Sequence, residues 1–338
     1  MSAGAAPPGP ESEDRLIGWL RRLTKQVQAG PIGDDAALLN LGGDWAVTVD
    51  SQIEGIHFFP GLDPALVARR LLAVNLSDLA ASGADPAWAF LSLAVPPGFD
   101  ARRFFRAFVQ ATRAAGVTLA GGDLSRGPRG LVATLTLLGR RPAGGRWLKR
   151  GAARPGDSLY LGGTIGESAL GQRLLARGAR IDLRRRIAWP GDLALPRALF
   201  PAARRAIVRH VAPRPQIALG KALGKAKRAA ALDVSDGLAK DLGRLCGESK
   251  VGASIEAEAL PLASRFHDLC AATGEDPLAL ALAGGEDYVL LFSVAPGSAP
   301  PDGFPCARIG EITAGRSVHI RIDGKKRKLV PLGWDHLA

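Results

Sequence analysis

Five short stretches place carboxylates at the end of, or inside, apolar runs: Ile32-Gly33-Asp34-Asp35, Val47-Thr48-Val49-Asp50, Leu76-Ser77-Asp78, Gly121-Gly122-Asp123 and Leu232-Asp233-Val234-Ser235-Asp236-Gly237. Any one of them reads as a helix cap or a turn. Together they ask for more, because a buried carboxylate is kept only where it is paired, hydrogen-bonded or metal-bound. No Cys-x-x-Cys pair accompanies them, and the five histidines (His57, His210, His267, His319, His336) are scattered, so a soft-ligand metal site is not expected. Converging aspartates without such partners favour Mg²⁺ held by carboxylates and substrate phosphates, an arrangement that phosphoryl transfer needs because donor, acceptor and transferred group all repel one another. Adjacent glycines would let backbone approach phosphate. Neither a Gly-x-x-x-x-Gly-Lys-Ser/Thr loop nor a His-Arg-Asp loop occurs, which removes the two common nucleotide-kinase plans.

The elements that must position these residues can be read from periodicity. Residues 13–28 form an amphipathic helix, 45–49 a short strand ending at Asp50, and 64–81 a second helix; 88–95 is a buried strand, 101–115 a helix and 131–138 another strand. This alternation is that of an α/β unit. A Gly/Pro/Arg-rich stretch, 139–156, marks a boundary, giving a loose tail at 1–12, a first domain at 13–145 and a second at 146–338. In the second, strands are expected at 158–161, 229–234, 251–255 and 289–294, with helices after Ser168 and from Leu238, and a loop at 295–305.

Composition narrows the partners. The chain has 338 residues and a formal charge of +12, yet residues 171–230 hold 15 Lys/Arg against 2 Asp/Glu, a local +13 that leaves the rest at −1. That segment alternates basic and apolar residues as solvated helices do, and with one aromatic pair (Trp189, Phe200) it lacks a stacking platform for nucleic acid. No apolar run reaches the ~20 residues of a membrane span, and the first ten residues fit a loose tail better than a signal peptide. A cytoplasmic protein with no membrane and no nucleic-acid partner is expected. Cys246, Cys270 and Cys306 read as ordinary thiols.

In order along the chain, Ile32-Gly33-Asp34-Asp35-Ala36-Ala37, Asp50 followed by Glu54-Gly55-Ile56-His57-Phe58, Ala73-Val74-Asn75-Leu76-Ser77-Asp78-Leu79-Ala80, Gly121-Gly122-Asp123, Asp233-Val234-Ser235-Asp236-Gly237 and Gly284-Gly285-Glu286-Asp287-Tyr288 resemble the motifs of the thiamine-monophosphate kinases. That family lies within the larger group containing aminoimidazole-ribonucleotide synthetase and selenophosphate synthetase. The resemblance runs from about residue 13 to the C-terminus. It implies an α/β N-terminal domain that dimerises, a C-terminal α+β domain, and ATP in the cleft between them, with thiamine monophosphate as acceptor and several Mg²⁺ ions. By the same resemblance Asp35, Thr48, Asp50, Asp78, Asp123, Asp233 and Asp236 are metal ligands, with Asp50 and Asp123 the catalytic pair. Gly122, Asp123, Arg150 and Ser235 contact ATP, and His57, Glu286 and Trp334 contact thiamine phosphate.

One position departs from the pattern: the family often has a hydroxyl directly before the aspartate matching Asp50, and here Val49 excludes a side-chain ligand. Sister enzymes fit less well, since a selenophosphate synthetase resembling its family would carry a reactive cysteine early in the chain, and the first cysteine is Cys246. The remaining alternatives are another ATP-dependent synthetase of the group or, in a different class, an anion-binding protein using the basic segment.

Overall fold

A computed structural model describes residues 13–24, 41–127, 130–191 and 195–334. The predicted first helix is α1 (Glu13–Thr24); the last part of its expected range lies outside the described residues. Then come β1 (Trp45–Ile53), α2 (Pro64–Ser82), β2 (Asp85–Val95), α3 (Ala101–Ala114), β3 (Thr118–Arg126) and β4 (Val132–Arg140). The four strands form one sheet in the order β1-β4-β2-β3. Its inner face packs on α2 and α3 through Leu71, Leu79, Leu91, Leu93, Phe104, Phe108, Leu135 and Leu137. Register decides which side chains share that face. Asp50 pairs with Leu135, and Leu135 with Leu91, so Thr48 and Asp50 look inward with the leucines, whereas Val47 and Val49 lie on the outer face, 61% and 58% exposed.

The second half builds a larger sheet. Its elements are β5 (Ser158–Leu161), α4 (Glu167–Ala176), β6 (Arg180–Ile181), β7 (Ile187–Ala188), α5 (Phe200–Val211), α6 (Ile217–Leu223), β8 (Ala229–Asp233), α7 (Leu238–Ser249), β9 (Gly252–Glu256), α8 (Phe266–Thr273), α9 (Pro277–Ala283), β10 (Leu290–Val294), β11 (Ala307–Thr313), β12 (Val318–Ile322) and β13 (Lys325–Lys328). Seven of the strands pair as β13-β12-β9-β11-β5-β10-β8, with β9 and β12 parallel. The expected α/β first half and α+β second half are both present.

α2 joins the halves. It is capped by the Asp63 carboxylate, which accepts from the Ala65 amide at 2.9 Å, with Pro64 fitting the first turn. Its buried residues run all round the helix, because one side packs on the first sheet and the other on α6 and β8. Edge strand β8 thereby delivers its last residue, Asp233, against α2.

The basic segment is helical at α4, α5 and α6, but Arg184, Arg185 and Arg186 correct the expectation of a solvated helix: they occupy the turn of the β6–β7 hairpin, exposed. Other arginines of the segment turn to internal partners, Arg205 to Glu167 at 2.6 Å, Arg209 to the Asp287 carbonyl at 3.0 Å, and Arg228 to buried Asp157. Less of the local charge faces solvent than the residue count implies.

The contact between halves is close enough to exclude a side chain at Gly220, where a Cβ would lie 2.0 Å from the Ala80 carbonyl oxygen. Gly220→Ala should therefore lower unfolding free energy by about 1–3 kcal/mol through overpacking, measured by denaturant titration. A change below about 0.5 kcal/mol, the range of neutral surface substitutions, would contradict this reading of the interface.

Candidate active site

The residues that could do chemistry meet in a cleft of about 410 Å³ between the halves, lined by Asp50, Asp78, Asp233 and Asp236, by Arg150 and Ser235, and by His57, Glu286 and Trp334. β1 supplies Asp50, α2 supplies Asp78, and β8 with its following loop supplies Asp233 to Asp236. Two side chains fix the first pair. The Thr48 hydroxyl donates to the Asp78 carboxylate. Buried Asn75, one turn earlier on α2, accepts from the Asp50 amide at 3.1 Å while its own amide donates to the Leu71 carbonyl at 2.9 Å. Val49 points to the opposite face of the sheet, as its 58% exposure shows.

The loop after β8 is held from three sides. Asp241, fully buried on α7, accepts the backbone N–H groups of Ser235, Asp236 and Gly237 on one carboxylate oxygen at 3.0, 3.0 and 3.2 Å, and Arg244 braces both Asp241 and Asp236. The Glu286 amide donates to the Ser235 carbonyl at 2.7 Å, and the Trp334 amide to the Asp236 carbonyl at 3.0 Å. Glu286 and Tyr288 both have left-handed backbone, φ +56° and +49°. Non-glycine residues hold that conformation at some cost, and only where their surroundings over-determine it.

Electrostatics divides the cleft in two. At the aspartate end, burial raises Asp50 to about 7, with the charges of Asp78 and Asp236 adding to it. Burial likewise raises Asp233, again assisted by Asp78, and raises Asp78 against the opposing effects of the Thr48 hydroxyl and Arg150. Glu286 behaves oppositely. Burial alone would raise it, but Arg70, His210 and His57 outweigh that and hold it near 2. Among the described residues Asp50, Asp78 and Asp233 form no ion pair, whereas Asp236 is paired with Arg244 and Lys240, and Glu286 with Arg70. A cation from solution therefore fits the aspartate end. Among the described residues no group of three or more His, Cys, Asp or Glu side chains is arranged to hold one ion, so each ion would take one or two carboxylates and complete its shell with phosphate oxygens and water, as Mg²⁺ does.

Two expected ligands fall elsewhere. Asp35 lies outside the described residues. Asp123 pairs in register with Ser92, Ser92 with Thr134 and Thr134 with Ser51, which puts it on the outer face of the sheet, while Asp50 occupies the inner face of the strand at the other edge. Within one chain the structure does not bring the expected catalytic pair together. Gly122 also has a structural task, since at φ +155° a Cβ there would sit 1.9 Å from the Leu91 carbonyl oxygen. Sequence reasoning missed Gln52, Arg70, His210 and Asp241. A signal for Arg70 existed: it sits at the i+4 position between Leu66 and Val74, on a buried stripe where a charge needs a partner.

The raised carboxyls give a sign that can be measured. Asp50 is lifted from its ordinary 3.8 to about 7; a carboxyl whose folded pKa exceeds its unfolded one loses stability for the fold as pH rises between the two values. Divalent cations bind the ionised form and reverse this loss. Saturating Mg²⁺ should thus raise the melting temperature more at about pH 8 than at about pH 5.5, and less in Asp50→Asn than in the wild type. An increment independent of pH would contradict the assignment.

Comparison with known proteins identifies the family and the fold. Residues 33–140 match the AIR synthase related protein, N-terminal domain, family. The structure is similar to that of thiamine-monophosphate kinase from Stenotrophomonas maltophilia (TM-score 0.76, 34% identity, covering 92% of this chain and 96% of that one). It is also similar to AaThiL complexed with AMPPCP and TMP (TM-score 0.75, 30% identity, 96% of each chain). In sequence it is 39% identical to the thiamine-monophosphate kinase of Escherichia coli strain K12 over 344 aligned residues, 96% of each chain. An aligned identity of this extent shows that the chain belongs to the thiamine-monophosphate kinase family.

Proposed function

We propose that the protein transfers the γ-phosphoryl group of ATP to the phosphate of thiamine monophosphate, giving thiamine diphosphate and ADP. The observation that carries this reading is one cleft lined both by buried aspartates with raised pKa values and by a carboxylate braced by Arg70 and His210, with the exposed indole of Trp334 on its wall beside the Asp236 loop. A similar structure is complexed with AMPPCP, an analogue of ATP, and TMP, which supports the same pair of substrates here.

Mg²⁺, when bound, would neutralise the phosphates and the developing charge of transfer. Asp50, Asp78, Asp233 and Asp236 would hold it, with Thr48 orienting Asp78. Arg150 and Ser235 stand beside these carboxylates to bind ATP phosphates. His57 accepts from the Ile53 amide through Nδ1 at 3.1 Å, which fixes the orientation of its ring on the cleft wall. Glu286, kept ionised, faces the cationic thiazolium or the aminopyrimidine. Trp334, 50% exposed on the cleft, offers a face to the same rings, an interaction worth roughly 0.5–2 kcal/mol. Transfer is direct and in line, because the acceptor is already an anionic phosphate that needs alignment rather than a general base.

A homodimer belongs to this reading. The outer face of the first sheet leaves Val47, Val49 and Val132 exposed at 61%, 58% and 38%, and exposed valines on a sheet face are of the kind that marks an interaction site. An isologous pairing with its two-fold axis along the strands lays β3 of one copy over β1 of the other, carrying Asp123 and Gly122 to the strand that bears the partner's Asp50. Residues 13–145 and 146–338 are then two units meeting at the cleft. A cytoplasmic location is part of the same reading; among the described residues no helix is long and apolar enough to cross a membrane.

The test is formation of thiamine diphosphate from ATP and thiamine monophosphate, with and without Mg²⁺. Asp50→Asn and Asp123→Asn should each fold yet lose more than about tenfold in turnover, the equivalent of roughly 1.4 kcal/mol of barrier. If the site is shared between copies, mixing the two variants after dissociation should restore about a quarter of wild-type activity, since half of the randomly paired dimers then hold one intact site. Full inactivity of the mixture would leave Asp123 without the shared role, and loss of the Mg²⁺ requirement would overturn the metal assignment.

A further inference from the structure

On α2 the guanidinium of Arg70 is fully buried, its side chain 0% exposed. Nε donates to the Gln52 side-chain oxygen on β1 at 2.8 Å, one terminal nitrogen to the His210 carbonyl at the end of α5, and the other to Oε1 of Glu286. The second oxygen of Glu286 meets His210 Nδ1 at 3.1 Å, and that ring lies 3.3 Å from the Ser168 hydroxyl. Each carboxylate oxygen is thus held by a different element, while the backbone at Glu286 is left-handed. The carboxylate still shows 22% of its side chain to the cleft.

Stability alone does not account for this arrangement. Burying an ion pair costs several kcal/mol per ion in desolvation, and an apolar replacement of similar volume is often neutral or stabilising. What the guanidinium supplies is geometry: its rigid, planar donors hold the Gln52 side chain, the His210 carbonyl and Glu286 Oε1 in fixed relative directions. α2 also carries Asp78, so the same rigid helix sets the spacing between Glu286 and the aspartate end.

We infer that Arg70 is a positioning residue for the phosphate acceptor: it holds Glu286 ionised and aimed into the cleft, so that the carboxylate selects a cationic or amino-bearing aromatic group and registers it against the aspartates. This rests on the proposed kinase reaction. The hydrogen-bond partners of Arg70 are Gln52, the His210 carbonyl and Glu286, none of them one of the four aspartates.

The experiment is steady-state kinetics of purified full-length variants with each substrate varied. Arg70→Met should raise the KM for thiamine monophosphate about tenfold or more, as losing a charge-assisted hydrogen bond to an ion does, and leave the KM for ATP within about twofold. Arg70→Lys, which keeps the cation, should recover most of the difference. In a Glu286→Gln background Arg70→Met should add no more than about twofold. Should the single Arg70→Met variant fail to fold, the comparison of Arg70→Met/Glu286→Gln with Glu286→Gln decides, because that pair leaves no carboxylate unpaired. Equal KM increases for both substrates, or a further tenfold rise in the Glu286→Gln background, would overturn the role of Arg70 while wild-type turnover keeps the kinase reading intact. A wild type unable to phosphorylate thiamine monophosphate would remove both.

Discussion

Mutual repulsion among Asp50, Asp78, Asp233 and Asp236 is the constraint around which the molecule is arranged. Burial raises the pKa values of Asp50, Asp78 and Asp233, and neighbouring carboxylates add to the rise at Asp50 and Asp233, so the cluster opposes folding and has to be held together by something else. Two apolar cores do this, one under each sheet, with α2 clamped between them. Hydrogen bonds then fix the carboxylates locally: Asn75 holds the backbone of Asp50, Thr48 the side chain of Asp78, and Asp241 the loop that carries Asp236. The stored repulsion is relieved when cations and phosphates enter, which turns an unfavourable feature of the free protein into affinity for the charged reactants.

The other end of the cleft follows an opposite rule. Glu286 carries its own cation, and its pKa falls to about 2 in consequence. A carboxylate neutralised from behind by Arg70 and hydrogen-bonded by His210, whose own pKa burial lowers, does not compete with the aspartates for metal ions, yet its exposed edge can still accept a hydrogen bond or face a cation. Two anionic ends within one cleft thereby acquire different ligands. The left-handed backbone at Glu286 and Tyr288 is the strain that accompanies this placement, offset by bonds from the Glu286 and Tyr288 amides to the Ser235 and Val234 carbonyls at 2.7 and 2.8 Å.

Much of this was legible in the sequence where burial and periodicity act together. The aspartate closing an apolar run marks the end of β8 at Asp233, while β1 continues past Asp50 to Ile53, and the helix expected at 64–81 is α2 nearly to the residue. Asp123 was grouped with Asp50 because a motif does not reveal which face of a strand a residue takes; that depends on strand order and register, which are properties of distant pairing. Glycines beside the aspartates are expected to let backbone approach phosphate, but Gly121 and Gly122 lie within β3, where the lack of a side chain allows Gly122 to approach β2. Strand β13, Lys325-Lys326-Arg327-Lys328, has no apolar residue to betray it, and its charge protects an exposed sheet edge. Arg70 and His210 are not legible as site residues because neither belongs to a motif, and their burial, 0% and 3% exposed, follows from the packing of α2 and α5.

The most direct measurement is diffraction from crystals of the protein grown with Mn²⁺ and a non-hydrolysable ATP analogue, recorded at a wavelength where manganese scatters anomalously. Anomalous peaks at about 2.0–2.2 Å from carboxylate oxygens of Asp50, Asp78, Asp233 or Asp236, each ion also bound to a phosphate oxygen and none bound to Glu286, are the predicted result. Nucleotide phosphates seated away from these aspartates, or metal held by Glu286 instead, would contradict the account.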